Sequence, residues 1–492
     1  MKRGLIFLVM LTSVLVLGFA QSALSGTYRY SANAYITFTG NNFSGSWNRT
    51  STMSGTYSVS GTRLTLNITG GTVGRNTWNW TIVDANTLRD QNSNNWRKEG
   101  GGSQQPAQPP ISWTVNSPSD WIEMVNGIRS AGNNKTHIVT VSGTVSVIPT
   151  PESDATFGSV TGITVTIQGD GTITPSSNGS LLRIGMSQTV IVKDLTLRGR
   201  DNNNASVVYI YSGSFRMEGS ASVSGNTTSG FGGGVYLELN GTFNMRDNAS
   251  VSGNTASMAG GGVSNGGTFT MQDSASVSGN TASILSGGGV SNGGTFTMQD
   301  SASVSGNTAS LLGGGGVSNG GTFTMRDNTS VSGNTASSGG GVDNGGTFTM
   351  QDNASASGNT ANEGGGVYVD MRGTFTMQGG TISGNTARED GGGVYVDSDR
   401  SNYPTGRGTF TMQGGTISGN TTRKNGGGVY LYRNVNFTKT GGTIYGNNET
   451  DARLRNTASN RGHALYNANG TWRNATAGPT LNPDTFGFWT ND

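Results

Sequence analysis

From residue 213 onward one pattern keeps returning: Gly-Gly-Gly-Val, then Gly-Thr-Phe-Thr-Met, then Ser-Val-Ser-Gly-Asn-Thr. The phenylalanines fall at Phe215, Phe243, Phe269, Phe296, Phe323, Phe348, Phe375, Phe410 and Phe437, spaced by 28, 26, 27, 27, 25, 27, 35 and 27 residues. An asparagine recurs with them at Asn226, Asn254, Asn280, Asn307, Asn334, Asn359, Asn385, Asn420 and Asn447. Each unit holds three short β-like runs separated by Gly, Asn or Ser turns. In a strand over Gly373-Thr374-Phe375-Thr376-Met377, Phe375 and Met377 share one face and the threonines the other. A single unit cannot bury Phe and Met, whereas stacked units bury them as ladders along a common core. Three strands per coil at this period predict a right-handed parallel β-helix. Nine phenylalanine-bearing coils at about 4.8 Å each give a rod of about 43 Å.

Composition supports an ordered array of tight turns. Glycine supplies 82 of 492 residues, one in six against a usual share of roughly 7%. Disordered chains combine low hydrophobicity with high charge, but here charged residues are only 12%. Glycine does not recur every third residue, which excludes collagen. Propeller blades need periods of roughly 40 or more, leucine-rich repeats need leucines, and calcium-binding rolls need a shorter unit. Lys+Arg is 30 and Asp+Glu 28, so no basic excess points to nucleic acid. The chain has no cysteine, which removes disulfides, thiol nucleophiles and Cys-ligated metals. Its two histidines, His137 and His463, stand far apart in sequence. A Ser-His pair or a multi-histidine metal site is not expected.

The N-terminal part reads in segments. Lys2 and Arg3 precede an apolar run from Leu5 to Phe19, with Gly18 and Ala20 as small residues two apart at its end. This is the pattern of a secretory signal peptide over 1–20, cleaved after Ala20. No later stretch is apolar enough to span a bilayer as a helix. Residues 21–99 alternate polar with apolar residues between close turns, which predicts an antiparallel meander of about eight strands forming a small barrel or sandwich. It resembles compact lipocalin-like domains. Trp47, Trp78, Trp80 and Trp96 either fill its core or line a ligand pocket. Residues 100–112, rich in Gly, Ser, Gln and Pro, form a linker. Residues 113–470 form the β-helix, opened by a helix that Ser117 caps and that runs through Trp121, Met124, Val125 and Ile128 to Gly132. Residues 471–492 are expected to cap the far end.

From about 113 to 470 the chain resembles the pectate-lyase-like β-helix superfamily. Val-Ser-Gly-Asn-Thr-Ala followed by Gly-Gly-Gly-Val is similar to the repeats of chlamydial polymorphic outer-membrane proteins. Those repeats pair Phe-x-x-Asn with Gly-Gly-Ala-Ile, and here Val251 and Val263 replace the Phe and the Ile. The resemblance implies an exported adhesin of the cell surface or the medium, bacterial in origin, binding glycans or extracellular proteins without catalysis. Its relatives carry a C-terminal translocator barrel, for which nothing after 470 is long enough.

Three further features bear on chemistry. The asparagine row reads as a structural amide ladder. Asp247, Asp273, Asp300, Asp327 and Asp352 recur after the Met strand, and later coils carry Gly379, Gly414 and Gly441 there. That exchange marks a turn position, although five aligned carboxylates could also recruit calcium. Enzymes of the superfamily use acids in adjacent coils, so a polysaccharide lyase or glycoside hydrolase is the alternative. Its residues are sought where the 35-residue spacing marks an inserted loop: Asp370, Asp397, Asp399 and Arg400. Finally, Thr268/Thr270, Thr295/Thr297, Thr322/Thr324, Thr347/Thr349, Thr374/Thr376 and Thr409/Thr411 would stack into two threonine columns, resembling the ice-binding face of some β-helical antifreeze proteins.

Overall fold

The computed structural model describes residues 26–31, 34–39, 42–46, 51–60, 63–72, 76–84, 87–90, 95–98, 109–398 and 406–468. The expected signal peptide, the C-terminal cap, Trp47, Asp399 and Arg400 lie outside the described residues. The chain divides into two compact units at Gln108/Pro109.

The first unit is antiparallel. Eight strands, from Gly26–Ser31 to Asn95–Lys98, pair in sequence order. The first also pairs with the last (Tyr28 with Lys98, Arg29 with Arg97), which closes the sheet into a barrel. Alternation places Tyr28, Ile36, Phe38, Leu64, Leu66, Trp80 and Trp96 inside. The Trp80 and Trp96 rings lie 4.9 Å apart, and the Trp96 indole N–H donates to Asp90 Oδ2 at 3.0 Å. Trp80 and Trp96 therefore fill the core, and Trp78 packs half-buried against it.

The second unit is a parallel β-solenoid of about 12 turns. It has three long sheets of 13, 12 and 11 strands, each adding one strand per coil. We name them by their repeated residues: the phenylalanine sheet (Thr-Phe-Thr-Met), the serine sheet (Ser-Val-Ser) and the tyrosine sheet (Val-Tyr-Val or Val-Ser-Asn). A fourth pairing, not expected from sequence, joins two-residue Thr-Ala strands such as Thr255–Ala256 and Thr281–Ala282 into two short four-stranded sheets.

Like stacks on like. Phe243, Phe269, Phe296, Phe323, Phe348, Phe375 and Phe410 are fully buried, with consecutive ring centroids 4.7–4.9 Å apart. That is the strand spacing itself, so each ring covers its neighbour and one continuous core runs from coil to coil. The helix Pro118–Ala131 starts on Ser117, whose Oγ accepts the Asp120 N–H at 3.3 Å, and ends at Gly132 with φ 79°. It buries Trp121, Met124 and Ile128 in the same core, with Val125 partly buried beside them. The first solenoid strand, Ile111–Val115, pairs with Thr136–Val141. Among the described residues no helix is long and apolar enough to cross a membrane.

The Gly-Gly-Gly corner explains much of the glycine. Gly287 takes φ 75°, a left-handed conformation that a Cβ disfavours. A Cβ on Gly288 would sit 2.5 Å from the Gly315 carbonyl oxygen of the next coil. The corner needs one residue for its bend and another for close approach, and glycine serves both.

The asparagine row forms the expected ladder. Each side chain from Asn254 to Asn420 donates from Nδ2 to Oδ1 of the next at 2.9–3.1 Å. Its last member is Asn456, not Asn447. Ile444-Tyr445-Gly446-Asn447 has the repeat spacing, but the chain detours before completing the coil. It returns at Asn456-Thr457-Ala458, where Asn456 accepts from Asn420 at 2.9 Å, and Asn447 is left exposed.

The aspartates occupy turns. Asp247, Asp273, Asp300, Asp327 and Asp352 all have φ between 51° and 59°. In the later coils the left-handed residues are Gly380, Gly415 and Gly442, one place beyond the expected glycines. There the turn is one residue shorter, because Met377 and Ile382 are separated by one residue fewer than Met271 and Val277.

Candidate functional site

The outward middle position of the tyrosine sheet varies most between coils. Register pairing links Arg183, Tyr209, Tyr236, Ser264, Ser291 and Ser318. The column continues through Asp343, Tyr368, Tyr395, Tyr430 and Tyr466. Tyr209 and Tyr236 stack with centroids 5.1 Å apart. A second stack runs from Tyr368 through Tyr395 and Tyr430 to Tyr466 at 4.8–5.3 Å. Strand spacing makes such aromatic columns possible wherever successive coils carry a ring.

Each stack has an acid on the next coil, two residues beyond that coil's tyrosine. Tyr209 donates its O–H to Glu238 Oε1. Tyr368 donates to Asp397 Oδ2 at 2.5 Å. Burial and the carboxylate acceptor raise both phenol pKa values, so both hydroxyls stay protonated donors. Asp343 stands where a tyrosine would, and the position that would hold its acceptor is Asp370. Its carboxyl pKa is pushed up to about 7, first by burial and then by Asp370, against a hydrogen bond from Ser338 Oγ at 2.9 Å.

Of the residues expected from sequence, Asp370 and Asp397 therefore lie in adjacent coils on one face. Asp397 is buried and occupied: Oδ1 accepts the Ser398 N–H at 2.9 Å while Oδ2 takes Tyr368. Asp370 is partly exposed, and its Oδ1 accepts the Met371 N–H at 2.7 Å. The inserted loop is closed at its base by an antiparallel bridge between Ser398 and Arg407. Near it, Glu389 pairs with Lys424 at 3.0 Å and Asp390 accepts from Asn425.

Sequence reasoning missed Asp343, the tyrosine columns and the clefts at Tyr236. Two open clefts of about 500 and 430 Å³ meet there and share Tyr236 and Phe231. The available signal was the residue after each corner valine, which alternates among Tyr, Ser and Asp in an otherwise monotonous repeat.

Elsewhere the turn aspartates make hydrogen bonds of their own. Each Oδ2 accepts the backbone N–H of the preceding coil, for example Asp273 N–H to Asp300 at 3.2 Å. Among the described residues no three His, Asp or Glu converge as a metal site. His137 Nδ1 accepts from Trp113 at 3.3 Å and His463 Nδ1 from the Ala458 N–H at 3.1 Å. Burial lowers both imidazole pKa values, which keeps the rings neutral. The Thr-x-Thr residues lie in two registered columns over six coils.

No protein family, curated protein or solved structure matches the chain.

Proposed function

We propose that this is an exported, non-enzymatic solenoid protein of the bacterial surface or medium that binds glycans or extracellular proteins as adhesins do. One observation carries the reading: the outward hydroxyl and phenol groups are repeated in register from coil to coil. Such a face multiplies weak contacts along an extended ligand, and avidity then exceeds any single contact. Val-Ser-Gly-Asn-Thr and Gly-Gly-Gly-Val support kinship with the polymorphic outer-membrane repeats and, more distantly, with pectate-lyase-like helices. The 1–20 segment supports export. The test is a panel of polysaccharides and extracellular-matrix proteins, scored together for retention and for released products. Retention without products is expected, and no retention by any member would overturn the reading.

A polysaccharide-cleaving enzyme is the second reading, supported by Asp343, Asp370 and Asp397 standing in successive coils. Against it, both oxygens of Asp397 already accept hydrogen bonds within the fold. It would require product release that Asp397→Asn and Asp399→Asn abolish. The threonine columns support an ice-binding reading, which thermal hysteresis of the purified protein would have to show.

A further inference from the structure

The Tyr209–Tyr236 stack is finished at one end and open at the other. At Tyr209 the Arg183 guanidinium lies over the ring, 4.2 Å from its centroid. At Tyr236 the next residue in register is Ser264, followed by Ser291. The drop from a phenol ring to a hydroxymethyl group leaves a trough about one ring deep, and the larger cleft occupies it. One face of Tyr236 therefore has no stacked partner in the column. Phe231, 43% exposed, flanks it with its centroid 6.4 Å away.

We infer that this trough is a carbohydrate subsite that seats a neutral pyranose against the open face of Tyr236, with the chain continuing over Ser264 and Ser291. The inference rests on the glycan-binding reading above and names its site and sugar class. A pyranose has one face of C–H groups with slight positive charge, which suits the negative face of an aromatic ring. Its edge hydroxyls need polar partners, and Asn240, Ser264 and Ser291 line the same cleft. Glu238 does too, and its carboxylate accepts the Tyr209 hydroxyl through Oε1. Two steps of about 4.8 Å separate Tyr236 from Ser291, so the trough suits an oligosaccharide better than one sugar.

Charge decides against an acidic sugar. Glu152 and Glu238 line the two clefts. Arg183, the cation among them, donates from Nε to the Asp154 carbonyl at 3.1 Å and from Nη2 to the Glu152 carbonyl at 2.6 Å. Its planar face is already laid on Tyr209.

The test is calorimetric titration of the full-length protein with cello-, xylo-, malto- and chito-oligosaccharides, with oligogalacturonate as the acidic probe. Tyr236→Ala removes the platform. Ser264→Tyr extends the stack and fills the trough, and the fold already accepts tyrosine at this column position in six coils. Ser318→Tyr, on the same column but outside the cleft, is the control. A neutral oligosaccharide should bind, about tenfold or more weaker in the first two variants and unchanged in the third. Wild-type binding that survives both variants overturns the subsite and leaves the glycan reading standing. Preference for oligogalacturonate overturns the neutral-sugar assignment. Binding to none of the probes overturns the subsite, while retention on the wider panel still judges the general reading.

Discussion

Asp343 interrupts a column that tyrosine occupies in six other coils, and its titration should be measurable. Its folded pKa of about 7 lies above the ordinary value of 3.8. Between those values the folded state holds a proton that the unfolded chain has lost, so stability falls as pH rises from about 4 to 7 and is level above. The groups acting on it are Asp370, which raises the pKa, and the Ser338 hydroxyl, which lowers it. Asp343→Asn should remove that slope and stabilise the solenoid by about 1–2 kcal/mol at pH 8, the full separation being discounted for partial exposure. Denaturant titrations at pH 5 and pH 8 would show it, and an unchanged pH dependence would refute it. A second residue-scale prediction concerns Asn307. Asn307→Ala removes the acceptor of the Asn280 N–H and Nδ2 and the donor to the Val277 carbonyl, leaving Asn280 Nδ2 only its bond to the Val251 carbonyl. Loss of about 2–3 kcal/mol is expected in urea unfolding. This ladder was legible because it recurs at every period. A second one, Asn265–Asn292–Asn319–Asn344, linked at 2.6–2.7 Å, was equally available. In Val-Ser-Asn strict alternation turns Asn inward beside Val, but a polar residue inside a core is not where hydrophobic patterning directs attention.

At the scale of the element, turns carry the information that strands lack. The aspartate turn needs left-handed backbone at one residue, plus an acceptor for the preceding coil. Asp300→Gly keeps the backbone and loses the hydrogen bond from the Asp273 N–H; the cost should stay near 1 kcal/mol. Asp300→Val loses both and adds about 1–2 kcal/mol of left-handed strain. Thermal or chemical unfolding of the pair would separate the two contributions, and equal effects would show that the conformation does not matter. Sequence spacing revealed the Asp-to-Gly exchange but placed the left-handed glycine one residue early. Dihedral demand depends on turn length, which the spacing between phenylalanines averages away. The two-residue Thr-Ala pairing escaped for a similar reason: two residues show no alternation. The helix at 118–131 was legible because its cap, its apolar face and its terminal glycine agree.

Across the whole solenoid, each coil meets only its neighbours, and neighbouring central coils are nearly the same sequence. A stack of this kind should behave as a one-dimensional array in which repeats add and subtract as units. Deletion of 297–323 removes 27 residues and joins Phe296 to Thr324, so every column regains an equivalent neighbour. The protein should fold, lose about 4.8 Å of length and keep the Tyr236–Ser291 trough. Deletion of 297–322 leaves one extra residue at the junction. In a strand a one-residue slip exchanges the two faces, which would turn Met out and Thr in and disrupt the stack there. Circular dichroism and small-angle scattering on the two variants would distinguish them. The architecture was legible for the same reason that the deletion should succeed: sequence period and coil are one quantity. The candidate site was not, because it arises where coils differ. A ring followed by a serine forms a trough only when the two are known to be adjacent in register, and that adjacency is a property of the stack. If both deletions fold equally well, register is not what holds the coils together, and the trough at Tyr236 loses its structural basis along with the column that defines it.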